Sequence, residues 1–69
     1  MDIGQAVVAM RDGKKVQRAG WKGKGMWLAL QVPDGLPYVY MKTATGPLVP
    51  WLCSQTDLLA NDWSEVTDV

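Results

Sequence analysis

The residues able to do chemistry gather around four tryptophans. Between Trp51 and Trp63 runs LCSQTDLLAND, in which Ser54, Gln55, Thr56, Asp57, Asn61 and Asp62 offer hydroxyl, amide and carboxylate groups. Between Trp21 and Trp27 runs KGKGM, which sets Lys22 and Lys24 in a glycine-rich loop. Four tryptophans in 69 residues that include no phenylalanine is an unusual aromatic set, because ordinary cores draw on phenylalanine and leucine. Indoles stack on flat bases, short polar side chains exchange hydrogen bonds with base and ribose edges, and lysines meet phosphate. Each tryptophan taken singly also fits core or interface packing. Taken together, and interleaved with Ser54, Gln55, Asp57 and Asp62, they describe a site for a flat, hydrogen-bonding ligand.

Catalysis fits the composition poorly. The chain has no histidine, which removes Ser-His and Cys-His nucleophiles and the usual base near neutral pH. Asp57 and Asp62 stand five apart across the end of a short helix and read as cap and surface charge, since short polar side chains there satisfy free backbone N–H groups. GWKGKG is no phosphate-binding Walker loop: Lys24 is followed by Gly25, Met26 and a strand, where that loop needs Ser or Thr at a helix start. What remains is either a glycine-rich connection or a flexible loop whose N–H groups and lysines contact a phosphate. Cys53 is the only cysteine, so an internal disulfide and every multi-cysteine metal site are excluded. The expectation is a binding protein with neither cofactor nor metal, and not an enzyme.

Charge and hydropathy narrow the partners. The formal net charge is zero, yet Arg11, Lys14, Lys15, Arg18, Lys22 and Lys24 stand against only Asp2, Asp12 and Asp34 in the first half, a net +3. Lys42 against Asp57, Asp62, Glu65 and Asp68 gives the second half −3. The basic cluster either recruits an anion or is a solvated loop with helix-end charges, and without a net positive field a nucleic acid polymer is not an expected partner. The N-terminus lacks the basic start and long apolar stretch of a secretory signal, and no apolar run approaches the roughly 20 residues that span a bilayer. A soluble intracellular protein follows as the expectation.

The elements that must position these residues are short. Ile3, Val7 and Met10 with Ala6 beside them predict a helix over 3–12, with Asp2 as N-cap and Gly13 as its stop. Strands are expected at 14–18, 26–32, 37–42, 47–51 and 63–69, the second and third joined through the turn Pro33-Asp34-Gly35. The fourth carries too many prolines to lie centrally. Ser54 opens a turn or two of helix through Ala60, with Asp57 three residues on. The fold class is α+β: an N-terminal helix packed on a five-stranded twisted antiparallel sheet, with a short helix before the last strand, in one domain over 1–69.

Alternation along the strands adds a clue. Met26, Leu28, Leu30 and Val32 share one face and suit the helix, while Trp27, Ala29 and Gln31 share the other. Tyr38 and Tyr40 alternate with Val39 and Met41 in the same way, so both faces of this hairpin are largely apolar. One helix cannot cover both, and the simplest cover for the second is another copy of the chain. A domain this small is marginal alone, which favours self-association again.

The stretches MDIGQAVVAMRDGKKVQRAGW, GWKGKGMWLAL and MKTATGPLVPWLCSQTDLLANDW resemble, in order and spacing, the Thoeris anti-defence type two family of bacteriophages, over nearly the whole chain. The most specific part is VPWLxSQTDxLAxDW. The resemblance implies a helix on an antiparallel sheet, a homotetramer of paired dimers, and a sponge acting in the host bacterial cytoplasm. Such proteins bind cyclic ADP-ribose isomers made by TIR-domain immune enzymes without cleaving them, and some take cyclic di- or trinucleotides. Carried over, the matched positions are Trp21, Trp51, Ser54, Gln55, Thr56, Asp57, Asp62 and Trp63. The expected ligand-binding set is Trp21, Trp51, Ser54, Gln55, Asp57 and Asp62 of these, together with Lys22, Lys24 and Trp27. Many members have Asn and an aromatic such as Phe where this chain has Lys22 and Trp27, and a longer segment where it has PDGLP. Two other readings remain: an oligomerisation module whose tryptophans only join subunits, and an enzyme that degrades the messenger.

Overall fold

The computed structural model of the protein describes residues 1–66. Helix α1 (Ile3–Arg11) is fixed at its start by a reciprocal cap: the Gln5 N–H donates to Asp2 Oδ1 at 2.8 Å and the Asp2 N–H to Gln5 Oε1 at 2.9 Å. This satisfies donors that a helix start leaves open. Asp2 was legible as the cap from sequence, and Gln5 is its unread partner. The helix ends at Asp12, and Gly13 takes φ +84°, a conformation that favours glycine.

Five strands follow: β1 (Val16–Arg18), β2 (Trp27–Gln31), β3 (Tyr38–Lys42), β4 (Leu48–Pro50) and, after the one-turn helix α2 (Gln55–Leu58), β5 (Trp63–Glu65). All neighbours pair antiparallel in the order β4-β3-β2-β1-β5. The α+β expectation therefore holds, and the proline-rich β4 lies at an edge, where a missing N–H costs the ladder nothing. In the β2–β3 turn Asp34 joins Gly35 at positive φ, 52° and 80°, which a short Asp side chain tolerates.

Every element is shorter at an end than the sequence suggests, with β1 opening at Val16 rather than Lys14, β3 at Tyr38 rather than Pro37, and β4 spanning Leu48–Pro50 rather than 47–51. Val32 leaves the strand and is exposed, α2 stops at Leu58 rather than Ala60, and β5 stops at Glu65 rather than Val69. The last of these follows from its partner, since β1 offers only Val16, Gln17 and Arg18 for pairing. Residues 67–69 of the expected strand lie outside the described residues.

The core sits between α1 and one face of the sheet. Ala6, Ala9, Met10, Val16, Leu28 and Trp63 are buried, with Leu30, Val39, Met41, Trp21 and Trp51 packed around them. The helix buries Ala6, Ala9 and Met10, while Ile3 and Val7, expected on the same apolar stripe, are only partly buried at the margin of the cluster. Leu28 faces this core, so Trp27 on the same strand faces away from it.

Candidate functional site

Trp63 organises the helix-side cluster. It opens β5 directly across from Arg18, is 2% exposed, and meets Trp21 and Trp51 edge-on with ring centroids 5.5 and 5.9 Å away. Edge-to-face contact is a preferred aromatic arrangement because the positive rim of one ring meets the negative face of another. The Trp63 Nε1–H donates to the Asp57 carbonyl at 3.0 Å, which ties the buried indole to α2. Trp21 and Trp51 are half-buried. Both lean on Trp63 as two wings with exposed margins.

Beside this trio lies a charge cluster. Arg18 Nη1 donates to Asp57 Oδ1 at 2.7 Å, Nε to Asp62 Oδ1 at 2.5 Å, and Nη2 to Asp62 Oδ2 at 3.4 Å. The planar fork of arginine suits two carboxylates at once. The Arg18 hydrogen bond, above all, holds the Asp62 carboxyl below its usual range, with a lesser contribution from the Ala19 backbone, and the two acids raise Arg18 in turn. The two aspartates are thus engaged with a common cation, a role beyond the cap and surface charge expected of them. The cap of α2 is Ser54, whose Oγ accepts from the Asp57 N–H at 3.2 Å and meets Thr56 Oγ1 at 3.0 Å. Gln55 opens the helix and is exposed. Cys53 is exposed nearby; local desolvation first, and the Asp57 charge second, push its thiol up.

The glycine-rich loop is more ordered than its composition suggests. A tight turn over Ala19–Trp21 closes with the Lys22 N–H on the Ala19 carbonyl, and the Lys24 N–H then meets the Trp21 carbonyl at 3.0 Å. Lys42 Nζ donates to the Gly25 carbonyl at 3.1 Å and anchors the far end. With those N–H groups spent inside the turn, Lys22 and Lys24 offer chiefly their exposed side chains to an anion.

The structure divides the expected site residues into two groups. Trp21 and Trp51 meet Trp63, Asp57 and Asp62 meet Arg18, Ser54 and Gln55 stand at the start of the helix that carries Asp57, and Lys22 and Lys24 lie on the loop that follows Trp21. Trp27 lies on the opposite sheet face, edge-on to Tyr40 at 5.8 Å with Lys15 Nζ 4.5 Å from its ring centroid. Arg18 and Lys42 were not legible as site residues: Arg18 reaches acids far along the chain, and Lys42 donates to backbone carbonyls, for which its charge gives no signal. Among the described residues a single copy encloses no pocket, no cluster of three His, Cys, Asp or Glu side chains could hold a metal ion, and no helix is long and apolar enough to cross a membrane.

Comparison with known proteins places this arrangement. The Thoeris anti-defense 2-like domain matches residues 1–66. A protein named Thoeris anti-defense 2, from Bacillus phage SP01, is 33% identical over an alignment of 85 residues covering 97% of this chain and 96% of the relative. The aligned length exceeds the 69 residues of this chain, so the relative carries insertions that this chain lacks. With a family match over residues 1–66 and a relative one-third identical over nearly the full length of both proteins, the chain belongs to the Thoeris anti-defense 2-like family.

Proposed function

We propose that this protein is a phage anti-defence sponge that binds a cyclic ADP-ribose-type messenger, or a related cyclic oligonucleotide, and holds it intact in the host bacterial cytoplasm. Family membership supports the anti-defence role. The observation that carries the ligand class is the pair of indole wings, Trp21 and Trp51, braced on buried Trp63 beside the Arg18–Asp57–Asp62 cluster. Aromatic faces take bases, and the neighbouring Ser54, Gln55 and carboxylate groups take base and ribose donors. Lys22 and Lys24 meet phosphate. The open outline of the wings in one copy suits a site completed by a second, in a homo-oligomer that we take to be a tetramer.

Binding without cleavage is the chemistry these residues favour. An effective general base titrates near the working pH, whereas Asp62 is held below the usual carboxylate range by Arg18. The chain has no histidine to take its place. The test is to saturate the protein with a cyclic ADP-ribose isomer, remove free ligand, denature by heat, and analyse the supernatant by mass spectrometry and effector activation. Intact cyclic ligand is expected. Linear ADP-ribose would mean an enzyme, and no retained nucleotide would reject the sponge.

The exposed aromatic and aliphatic side chains of the other sheet face favour a second reading, an assembly module without a ligand. Tryptophan fluorescence separates the two: stacked ligand changes emission from Trp21 and Trp51, whereas pure subunit contacts give no response to cyclic nucleotides.

A further inference from the structure

We propose that Arg18 is the positioning residue of the site: it ties together the segments carrying both indole wings and cancels one of the two carboxylate charges beside an anionic ligand. The inference rests on the messenger-binding reading for its ligand half and on geometry alone for the other half. Arg18 ends β1, and Trp21 follows three residues later in the turn that Ala19 begins. Its guanidinium grips Asp57 in α2, six residues after Trp51, and Asp62, the residue before Trp63. One side chain thereby links the turn bearing Trp21, the helix that follows Trp51, and the strand start bearing Trp63.

The grip is partly shielded, since the Arg18 and Asp57 side chains are 24% and 15% exposed. Asp57 also accepts the Trp63 indole N–H through its carbonyl, so a displaced Asp57 side chain and a displaced indole go together. The electrostatic half follows from counting. With Arg18 the cluster carries one net negative charge; without it, two uncompensated carboxylates would stand in the site of an anionic ligand. Like charges brought together there cost affinity.

The variants R18Q, R18K and the double variant R18Q/D62N separate these roles from general support of the fold. Affinity for cyclic ADP-ribose isomers is read by calorimetry at low and high salt, and the tryptophan indole N–H resonances are read without ligand. R18Q is expected to weaken binding on the order of tenfold or more, the scale of one charge-assisted hydrogen bond, with the loss shrinking as salt rises. R18K, which keeps charge but loses the fork, recovers part of it. R18Q/D62N restores the net charge of the cluster and is expected to bind better than R18Q, although it has lost another group; a purely structural role predicts that it binds no better, and that result would overturn the electrostatic half. In the ligand-free spectra R18Q moves the Trp63, Trp21 and Trp51 indole signals while circular dichroism stays native, and unmoved indoles would overturn the positioning half. If R18Q fails to fold, R18K reads the positioning half through the indole signals, and D62N reads the electrostatic half in the opposite sense: with one negative charge fewer it is expected to gain affinity most at low salt, and no gain there would overturn that half. If the wild-type protein binds none of the isomers, the messenger reading fails, and the ligand-free spectra still decide whether Arg18 positions the wings.

Discussion

The two faces of the sheet use similar residues to opposite ends. On the helix side Val16, Leu28 and Trp63 are almost wholly removed from water, and polar groups at the margin are matched, Arg18 to its two aspartates and Trp63 Nε1 to a carbonyl. On the other side Trp27, Tyr40, Tyr38, Leu48 and Pro50 line up by register without a covering element, Tyr38 and Leu48 being 44% and 56% exposed. Ser64 Oγ, whose register with Gln17 puts it on that side, is buried with no hydrogen-bond partner. A sheet with two apolar faces needs two layers against it. The described residues supply only one, so the first face makes the fold and the second is suited to assembly.

This contrast is broken or upheld first at Trp63. Trp63→Ala empties the centre of the core and is expected to cost about 3–5 kcal/mol. Native domains hold only roughly 0.05–0.15 kcal/mol per residue, so this loss rivals the whole stability of the chain. Urea unfolding followed by circular dichroism should show a largely unfolded variant. A native-like melt would mean that the indole trio is not the keystone of this face.

Trp27→Asp tests the other face. The carboxylate interrupts the Trp27–Tyr40 contact and leaves the Leu28 side untouched, so the monomer fold should persist while assembly is lost. Light scattering is expected to show wild-type oligomers and variant monomers at micromolar concentration. An oligomer that survives would move the subunit contact elsewhere.

The contrast also explains what the sequence revealed. The order of elements, the 26–42 hairpin and the edge position of the proline-rich strand follow from local chemistry: period-two alternation, turn residues and missing N–H groups. So did the opposite orientations of Leu28 and Trp27. Trp63 could not be told from its fellow tryptophans, because indoles look alike until a partner strand puts one of them opposite Arg18. Arg18 was harder still. Its partners lie 39 and 44 residues away, and local rules assign Asp57 to a helix cap that Ser54 fills. Long-range ion pairs leave no periodic trace, and the +3 and −3 halves read only as an anion-recruiting cluster or a solvated loop.

Smaller effects are expected at the wings. Trp21→Ala and Trp51→Ala each remove a stacking surface worth about 1–3 kcal/mol per base, a roughly five- to 150-fold loss of affinity for a cyclic ADP-ribose isomer. Both keep Trp63 and should keep the oligomer, which light scattering verifies beside calorimetry. Unchanged affinity in a folded oligomer would remove that indole from the site.

The smallest effect is expected from Asp62→Asn, and its sign with pH is fixed. Arg18 lowers the folded pKa of Asp62 below the unfolded value, which for an aspartate is about 4. The stabilisation is therefore complete above that value, declines as pH falls toward the lower folded pKa, and is lost below it. Asparagine keeps much of the shape without the titration. The wild-type protein should be the more stable near neutrality, and the two should converge in acid. Because the Asp62 side chain is 41% exposed, the difference is that of a surface ion pair and should shrink in high salt. A difference that persisted unchanged through acid would assign Asp62 a packing role and separate it from the charge cluster that distinguishes this face of the sheet.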